Sequence, residues 1–217
     1  MNIISNSTKM SPSTTSTTIS STTKLLPHYL VIGGAGFLGT AIVKQLLKSK
    51  CTISILDIHI PKTKLLSVTY HTGDITNQSH LLPLLTMETI VIHTASPPHG
   101  KQKHLYKLVN VKGTKNIIQA CRIKGVKKLV FTSSASVIFN GQDILGGDEG
   151  VGYCRVHMDA YNESKAEAEQ FVLEANDSKL ATCCLRPSGI FGPGYLLSLH
   201  LLLLKLIHPS ILSLKQL

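Results

Sequence analysis

The run YLVIGGAGFLGTAIVKQLL at residues 29–47 restricts this chain more than any other stretch. A short β-branched strand leads directly into glycines 33, 34, 36 and 39, and a helix begins among them. Both G-x-x-G-x-x-G (33, 36, 39) and G-x-G-x-x-G (34, 36, 39) are satisfied. Glycines at this spacing make a tight turn, let the backbone approach a pyrophosphate, and let the helix pack on the strand with its N-terminus toward the anion. An acidic residue, Asp57, closes the next strand, at the place where a carboxylate accepts hydrogen bonds from the adenosine ribose. Such a carboxylate repels a 2′-phosphate, so NAD is expected in preference to NADP. Lys62 and Lys64 temper that preference.

The pattern established by the first strand continues. Apolar strands are expected at 29–32, 52–57, 67–71, 89–94, 127–133 and 180–186, with helices near 36–49, 77–85, 103–124 and 159–175. Continuous apolar strands separated by helices imply a parallel sheet covered on both faces, so the fold class is α/β, a doubly wound, Rossmann-like sheet. At 217 residues and 43% hydrophobic content the chain can bury one good core. Five cysteines without a CxxC pair point to reduced thiols, and ten histidines without ligand spacing give no reason to expect a metal.

The formal charge of +10 is concentrated. Residues 101–128 carry nine basic side chains and no acidic one, on what reads as a helix leading into a strand. The plain reading is a solvated outer face, and the alternative is an anionic membrane surface. No nucleic-acid partner is expected, because no basic motif with interleaved aromatics accompanies the charge. Residues 1–24 are Ser/Thr-rich and acid-free, a disordered leader without the arginines of a transit peptide or the apolar core of a signal peptide.

The stretch DAYNESKAEAEQFVLEA sets Tyr161 and Lys165 four residues apart on one helix face, with Asp159 as N-cap. A phenol is a poor base at neutral pH, and a neighbouring ammonium favours its ionised form. Tyr161 can then move an alcohol proton while Lys165 lowers its pKa and reaches the nicotinamide ribose. A hydroxyl at the end of the fifth strand should join them. Among Thr132, Ser133, Ser134 and Ser136 we select Ser134, with Ser133 second.

With these parts in order, the chain resembles the extended short-chain dehydrogenase/reductases, and within them the 3β-hydroxysteroid dehydrogenase family. The resemblance rests on GGAGFLG, GDIT, HTASPP, NVKGTKNIIQAC, FTSSASVIFNG, DAYNESKAEAE and LRPSGIFGPG, and runs from about 30 to 194. It implies that Gly33, Gly36, Phe37, Leu38 and Gly39 line the pyrophosphate and that Asp57 meets the ribose. It implies further that Asp74 and Ile75 flank the adenine, and that Ala95, Asn110 and Pro187 lie along the rest of the dinucleotide. Ser134, Tyr161 and Lys165 would form the catalytic set. The implied reaction is oxidation of a sterol 3β-hydroxyl by NAD, with loss of carbon dioxide from a 4α-carboxylate. The implied partners are the sterol, a membrane met peripherally, and a second copy of the chain in a homodimer. The implied location is the surface of the endoplasmic reticulum or a lipid droplet, with the cytoplasm as the alternative.

Two departures from the family pattern stand out. VGYCRV precedes the catalytic stretch, and after Gly194 the chain continues as a leucine-rich tail, 195–217, where the family has a substrate-closing portion. The segment LLSLHLLLLKLI is too short for a spanning helix and is interrupted by His200 and Lys205. We therefore expect a 28–194 cofactor domain with most of the substrate portion missing, weak dinucleotide binding and little sterol oxidation. The competing expectations are another extended reductase or epimerase, and a non-catalytic dinucleotide-binding remnant.

Overall fold

The computed structural model describes residues 26–192. The leader at 1–24 and the tail at 195–217 lie outside them. Six strands form one parallel sheet: β1 (His28–Ile32), β2 (Thr52–Asp57), β3 (Val68–Thr72), β4 (Thr89–His93), β5 (Lys128–Thr132) and β6 (Ala181–Leu185). Their spatial order is β3-β2-β1-β4-β5-β6. Strand order reverses between β1 and β4, so the crevice beyond their carboxyl ends is where such a sheet takes a ligand.

Alternation along the strands feeds two apolar layers. Val31, Ile53 and Ile55 pack with Val43 under helix α1 (Phe37–Leu46). Leu30, Ile32, Leu56, Val91, Leu129 and Phe131 point the other way, against helices α3 (Thr114–Lys124) and α4 (Ala160–Glu174). Both faces are therefore covered, which is why the strands carry nearly continuous apolar runs. On β6, Cys183 is exposed while its neighbour Cys184 packs on the core, and all five cysteines are free.

Two expected helices differ in detail. The span 77–85 is no α-helix but two short 3-10 turns, Gln78–His80 and Leu82–Leu84. Pro83 has no N–H to donate to the preceding turn, and its ring opposes a longer helix. The span 103–124 is helical throughout but changes pitch. Helix α2 (Lys103–Tyr106) passes into a π-helical segment, Lys107–Gly113, and then into α3. The wide turn buries Asn110, whose Nδ2 donates to Ser164 Oγ on α4 at 2.9 Å. Insertions of this kind often occur at functional sites.

Every basic residue of 101–128 except the half-buried Lys107 is exposed, as a solvated face requires, and several also meet partners on or near α4. Lys103 and Lys107 reach Glu163 on α4, Lys107 also binds Glu167, and Arg122 binds Asp177 beyond that helix. Lys115 lies over the Phe171 ring at 3.8 Å. Lys103 and Lys107 thus tether their helical span to α4, which carries the carboxylates they reach.

Candidate active site

Gly33 has φ +79, and a Cβ there would meet the Ala95 nitrogen at 2.6 Å, so the turn after β1 touches the chain leaving β4. Thr94 Oγ1 holds the contact by donating to the carbonyls of Ile32 and Gly33. At Gly39 a Cβ would fall 2.2 Å from the Gly33 carbonyl, which is why helix and turn can close together only around glycine. Gly36 caps α1 without any side-chain bond, and Thr40 N–H donates to Gly36 O as the helix begins. The first-turn amides around Phe37, Leu38 and Gly39 therefore form the end that favours an anion. Asp57 stands against this turn: its Oδ2 accepts from Ala35 N–H at 3.0 Å and its Oδ1 from His59 N–H at 3.2 Å.

Asp74 begins the next loop, accepting from Thr76 N–H at 2.8 Å. The Ile75 side chain is buried in the core against Gly113, and its carbonyl accepts from Asn116. Pro187 follows β6, and its carbonyl accepts from Ala135 N–H at 3.0 Å, tying the two strand ends together.

On α4, Asp159 is the N-cap, accepting from Asn162 N–H at 2.7 Å, so Tyr161 lies in the first turn. Lys165 follows one turn later and is 3% exposed. Its Nζ donates to the Thr132 carbonyl at the end of β5 at 2.5 Å and lies 4.3 Å from the Phe131 ring centroid. Burial pushes the Lys165 ammonium down to about 7, with Cys184 and Glu169 opposing the shift. A cation so poor in solvation gains most from an adjacent anion, and Tyr161 and Glu169 stand one turn to either side of Lys165 on α4.

Ser134 caps the 3-10 turn Ala135–Val137, where its Oγ lies 2.7 Å from Ser136 Oγ and accepts from Ser136 N–H. Ser133 is buried, with its Oγ unpartnered. Asn110, expected along the dinucleotide, has a buried Oδ1 without a partner. Sequence reasoning missed two contributors, and the first, Thr94, clasps the glycine turn. His99 packs its ring 4.1 Å from that of Tyr161, tilted by 49°. The one sequence signal for His99 was its place in SPPHG, just after a strand whose end borders the crevice.

The backbone cradle at Gly33 and Ala95, the helix end beyond it and the orphaned Asn110 oxygen fit a dinucleotide. Among the described residues no group of His, Cys, Asp or Glu side chains is placed to hold a metal ion. Residues 30–207 match the model of the 3-beta hydroxysteroid dehydrogenase/isomerase family. The chain belongs to this family. It is 42% identical over 182 residues to the decarboxylating sterol-4-alpha-carboxylate 3-dehydrogenase of Candida albicans, across 78% of this chain and 52% of that protein. The mouse enzyme of the same name is 45% identical over 170 residues, across 75% and 46% of the two chains. The chain spans about half the length of these relatives. Among solved structures, Thermus thermophilus UDP-glucose 4-epimerase in complex with NAD matches with a TM-score of 0.64 at 28% identity, covering 73% of this chain and 54% of that one. Bordetella bronchiseptica WbmH in complex with NAD+ matches with a TM-score of 0.74 at 18% identity, covering 85% and 64%, a likeness of fold.

Proposed function

We propose that this family member carries the cofactor-binding and proton-transfer half of an NAD-dependent sterol dehydrogenase, which oxidises the 3β-hydroxyl of a 4α-carboxysterol and releases the carboxylate as carbon dioxide. The observation that carries the reading is the helix α4 face, where Tyr161 is followed one turn later by a buried Lys165 fastened to the end of β5. Relatives at 42–45% identity named for that reaction support the substrate class. Fold relatives at 28% identity are the weaker support for a sugar-nucleotide epimerase.

In this reading Tyr161 Oη takes the proton of the 3-hydroxyl, Ser134 donates to the same oxygen, and Lys165 keeps the tyrosine ionisable. Bound NAD+ supplies the acceptor for the hydride that leaves C3. Gly33, Gly36, Phe37, Leu38 and Gly39 hold the pyrophosphate, while Ala95, Asn110 and Pro187 border the remainder. Once C3 is a ketone, the C4 carboxylate is β to it. The bond from C4 to the carboxyl carbon breaks, its electron pair enters an enolate, and a proton returns to C4.

Asp57 favours NAD over NADP, since the carboxylate stands beside the turn that would otherwise admit a 2′-phosphate. Residues 28–194 form the cofactor domain, with the leader before it and a leucine-rich segment after it suited to a lipid surface. The chain works at the surface of the endoplasmic reticulum or a lipid droplet, as a homodimer. No helix among the described residues is long and apolar enough to cross a membrane.

The test is NADH formation and release of labelled carbon dioxide from a 4α-carboxysterol. It would use the purified chain, beside the chain joined to the second half of a curated relative. Tyr161→Phe should abolish turnover by at least about a hundredfold, the scale of lost acid–base catalysis, with NAD binding unchanged. Near-normal turnover in the Phe variant would show that another group moves the proton.

A further inference from the structure

His99 occupies a position that the reaction as described leaves unused. Its imidazole packs on the Tyr161 ring at 4.1 Å, yet the residue is exposed on its other side. The segment presenting it is built rather than loose. Pro97 and Pro98 precede it and fix two backbone angles, while Gly100 follows with φ +81. The buried Tyr106 closes the turn from both ends: its hydroxyl donates to the Pro98 carbonyl at 2.9 Å and accepts from Lys101 N–H at 3.0 Å. The Tyr106 ring also meets Tyr161 edge-on at 5.6 Å. Tyr106 thus binds the residues flanking His99 on both sides and holds the imidazole against the phenol.

Substrate stereochemistry gives that placement a meaning. In a 4α-carboxysterol the carboxylate is on the carbon next to the one bearing the hydroxyl. With the 3-oxygen at Tyr161 Oη, the carboxylate must lie within a few ångströms of the same phenol. A ring N–H stacked beside the phenol is a donor at that range, and Lys101, two residues on, adds positive charge to the same turn. Glu163 is the nearby carboxylate on α4, and it is bound to Lys103 and Lys107.

We propose that His99 is the substrate-recognition residue for the C4 carboxylate, donating a ring N–H to it while Tyr161 engages the neighbouring 3-oxygen. The inference rests on the sterol reading above, and it adds the group that distinguishes a 4-carboxylated substrate from a plain 3-hydroxysterol. The same contact fixes rotation of the substrate about the Tyr161 hydrogen bond, since two adjacent oxygen groups are held by two adjacent side chains.

The experiment compares a 4α-carboxysterol with its 4α-methyl analogue in detergent micelles. It would measure binding and kcat/KM for oxidation with NAD+ in the chain joined to the second half of a curated relative, as the wild type, His99→Phe and His99→Gln. Phenylalanine keeps the ring contact on Tyr161 and removes the donor, whereas glutamine restores a donor without the ring. The wild type should prefer the carboxylated sterol, and His99→Phe should reduce that preference by about tenfold or more, the scale of one hydrogen bond to a charged group. Handling of the 4α-methyl sterol should stay within about twofold, and His99→Gln should recover part of the preference. A Phe variant that keeps the preference, or loses both sterols alike, would show that His99 only packs on Tyr161. If the wild type binds and oxidises neither sterol, the sterol reading itself falls and the His99 assignment with it.

Discussion

At the end of β2 the Asp57 carboxylate accepts from Ala35 N–H with one oxygen and from His59 N–H with the other. The residue expected to select the cofactor therefore also braces the turn that binds it. Asparagine can still accept from Ala35, whereas alanine cannot, so the two roles separate. We expect Asp57→Asn to relax the preference for NAD over NADP by about tenfold and Asp57→Ala to weaken binding of both as well, read by calorimetric titration of each cofactor. His93, at the end of β4, offers a test through pH. It is buried, its Nε2 lies 3.1 Å from Thr114 Oγ1, and its Nδ1 has no partner. Burial, with a smaller contribution from Lys165, pushes the imidazole down to about 3. An unfolded histidine takes up its proton near pH 6.5, and the native one does so only near 3. The resulting stability is complete above pH 6.5 and is lost progressively as pH falls toward 3. Urea midpoints should fall between pH 7 and 5.5, and His93→Gln, which does not titrate, should flatten that fall.

The same logic scales up to whole elements. Helix α1 begins on glycines because Gly39 sits against the carbonyl of Gly33, with no space for a methyl group. By intrinsic propensity Gly39→Ala should favour the helix by about 1 kcal/mol. Contact with backbone atoms at 2.2 and 2.6 Å reverses the sign, because neither the turn nor the strand behind it can move aside. We expect a net loss of about 1–3 kcal/mol, the range for overpacking, with a matching loss of NAD affinity. Denaturant unfolding and cofactor titration on the same sample would check both. In the helical span 103–124, local propensity supports a helix throughout. The π-helical pitch at 107–113 arises from what the turn must face: Asn110 toward Ser164 on α4, and Gly113 toward Ile75.

Across the whole molecule, one buried ionic cluster joins segments far apart in the chain. Glu169 on α4 is 1% exposed and accepts from both Nε and Nη2 of Arg186, just beyond β6, at 2.9 and 2.7 Å. Arg186 Nη1 also reaches the Val151 carbonyl, and Tyr153 O–H donates to Glu169 at 3.0 Å. Burial and Glu169 push the Tyr153 phenol up to about 12, so it remains a donor. The cluster fixes the VGYCRV stretch, which reads as an unexplained departure in the sequence, onto the helix that carries Tyr161 and Lys165. Arg186→Leu should cost about 3 kcal/mol, since it leaves a buried carboxylate with its main partner gone. The double variant Glu169→Gln/Arg186→Leu should recover part of that loss in urea unfolding. Full additivity of the two single losses would mean the pair is not coupled.

Local rules were enough for the six strands, the glycine turn and the capped helix that carries Tyr161. Each can be read from residues close in sequence: apolar runs, glycines spaced three apart after a strand, and an aspartate that accepts from an amide three residues on. Those signals survive without knowledge of the partner element. Tertiary packing settled the features that depend on distant residues. It drew the Ile75 side chain into the core and turned basic residues of 101–128 toward carboxylates on α4. It also set His99 against Tyr161, through a turn closed by Tyr106. These outcomes rest on contacts between residues tens of positions apart, whose energies depend on which side chains the sheet order brings together. No local pattern carries that information, because the same residue types would be solvated, buried or paired according to what faces them across the fold.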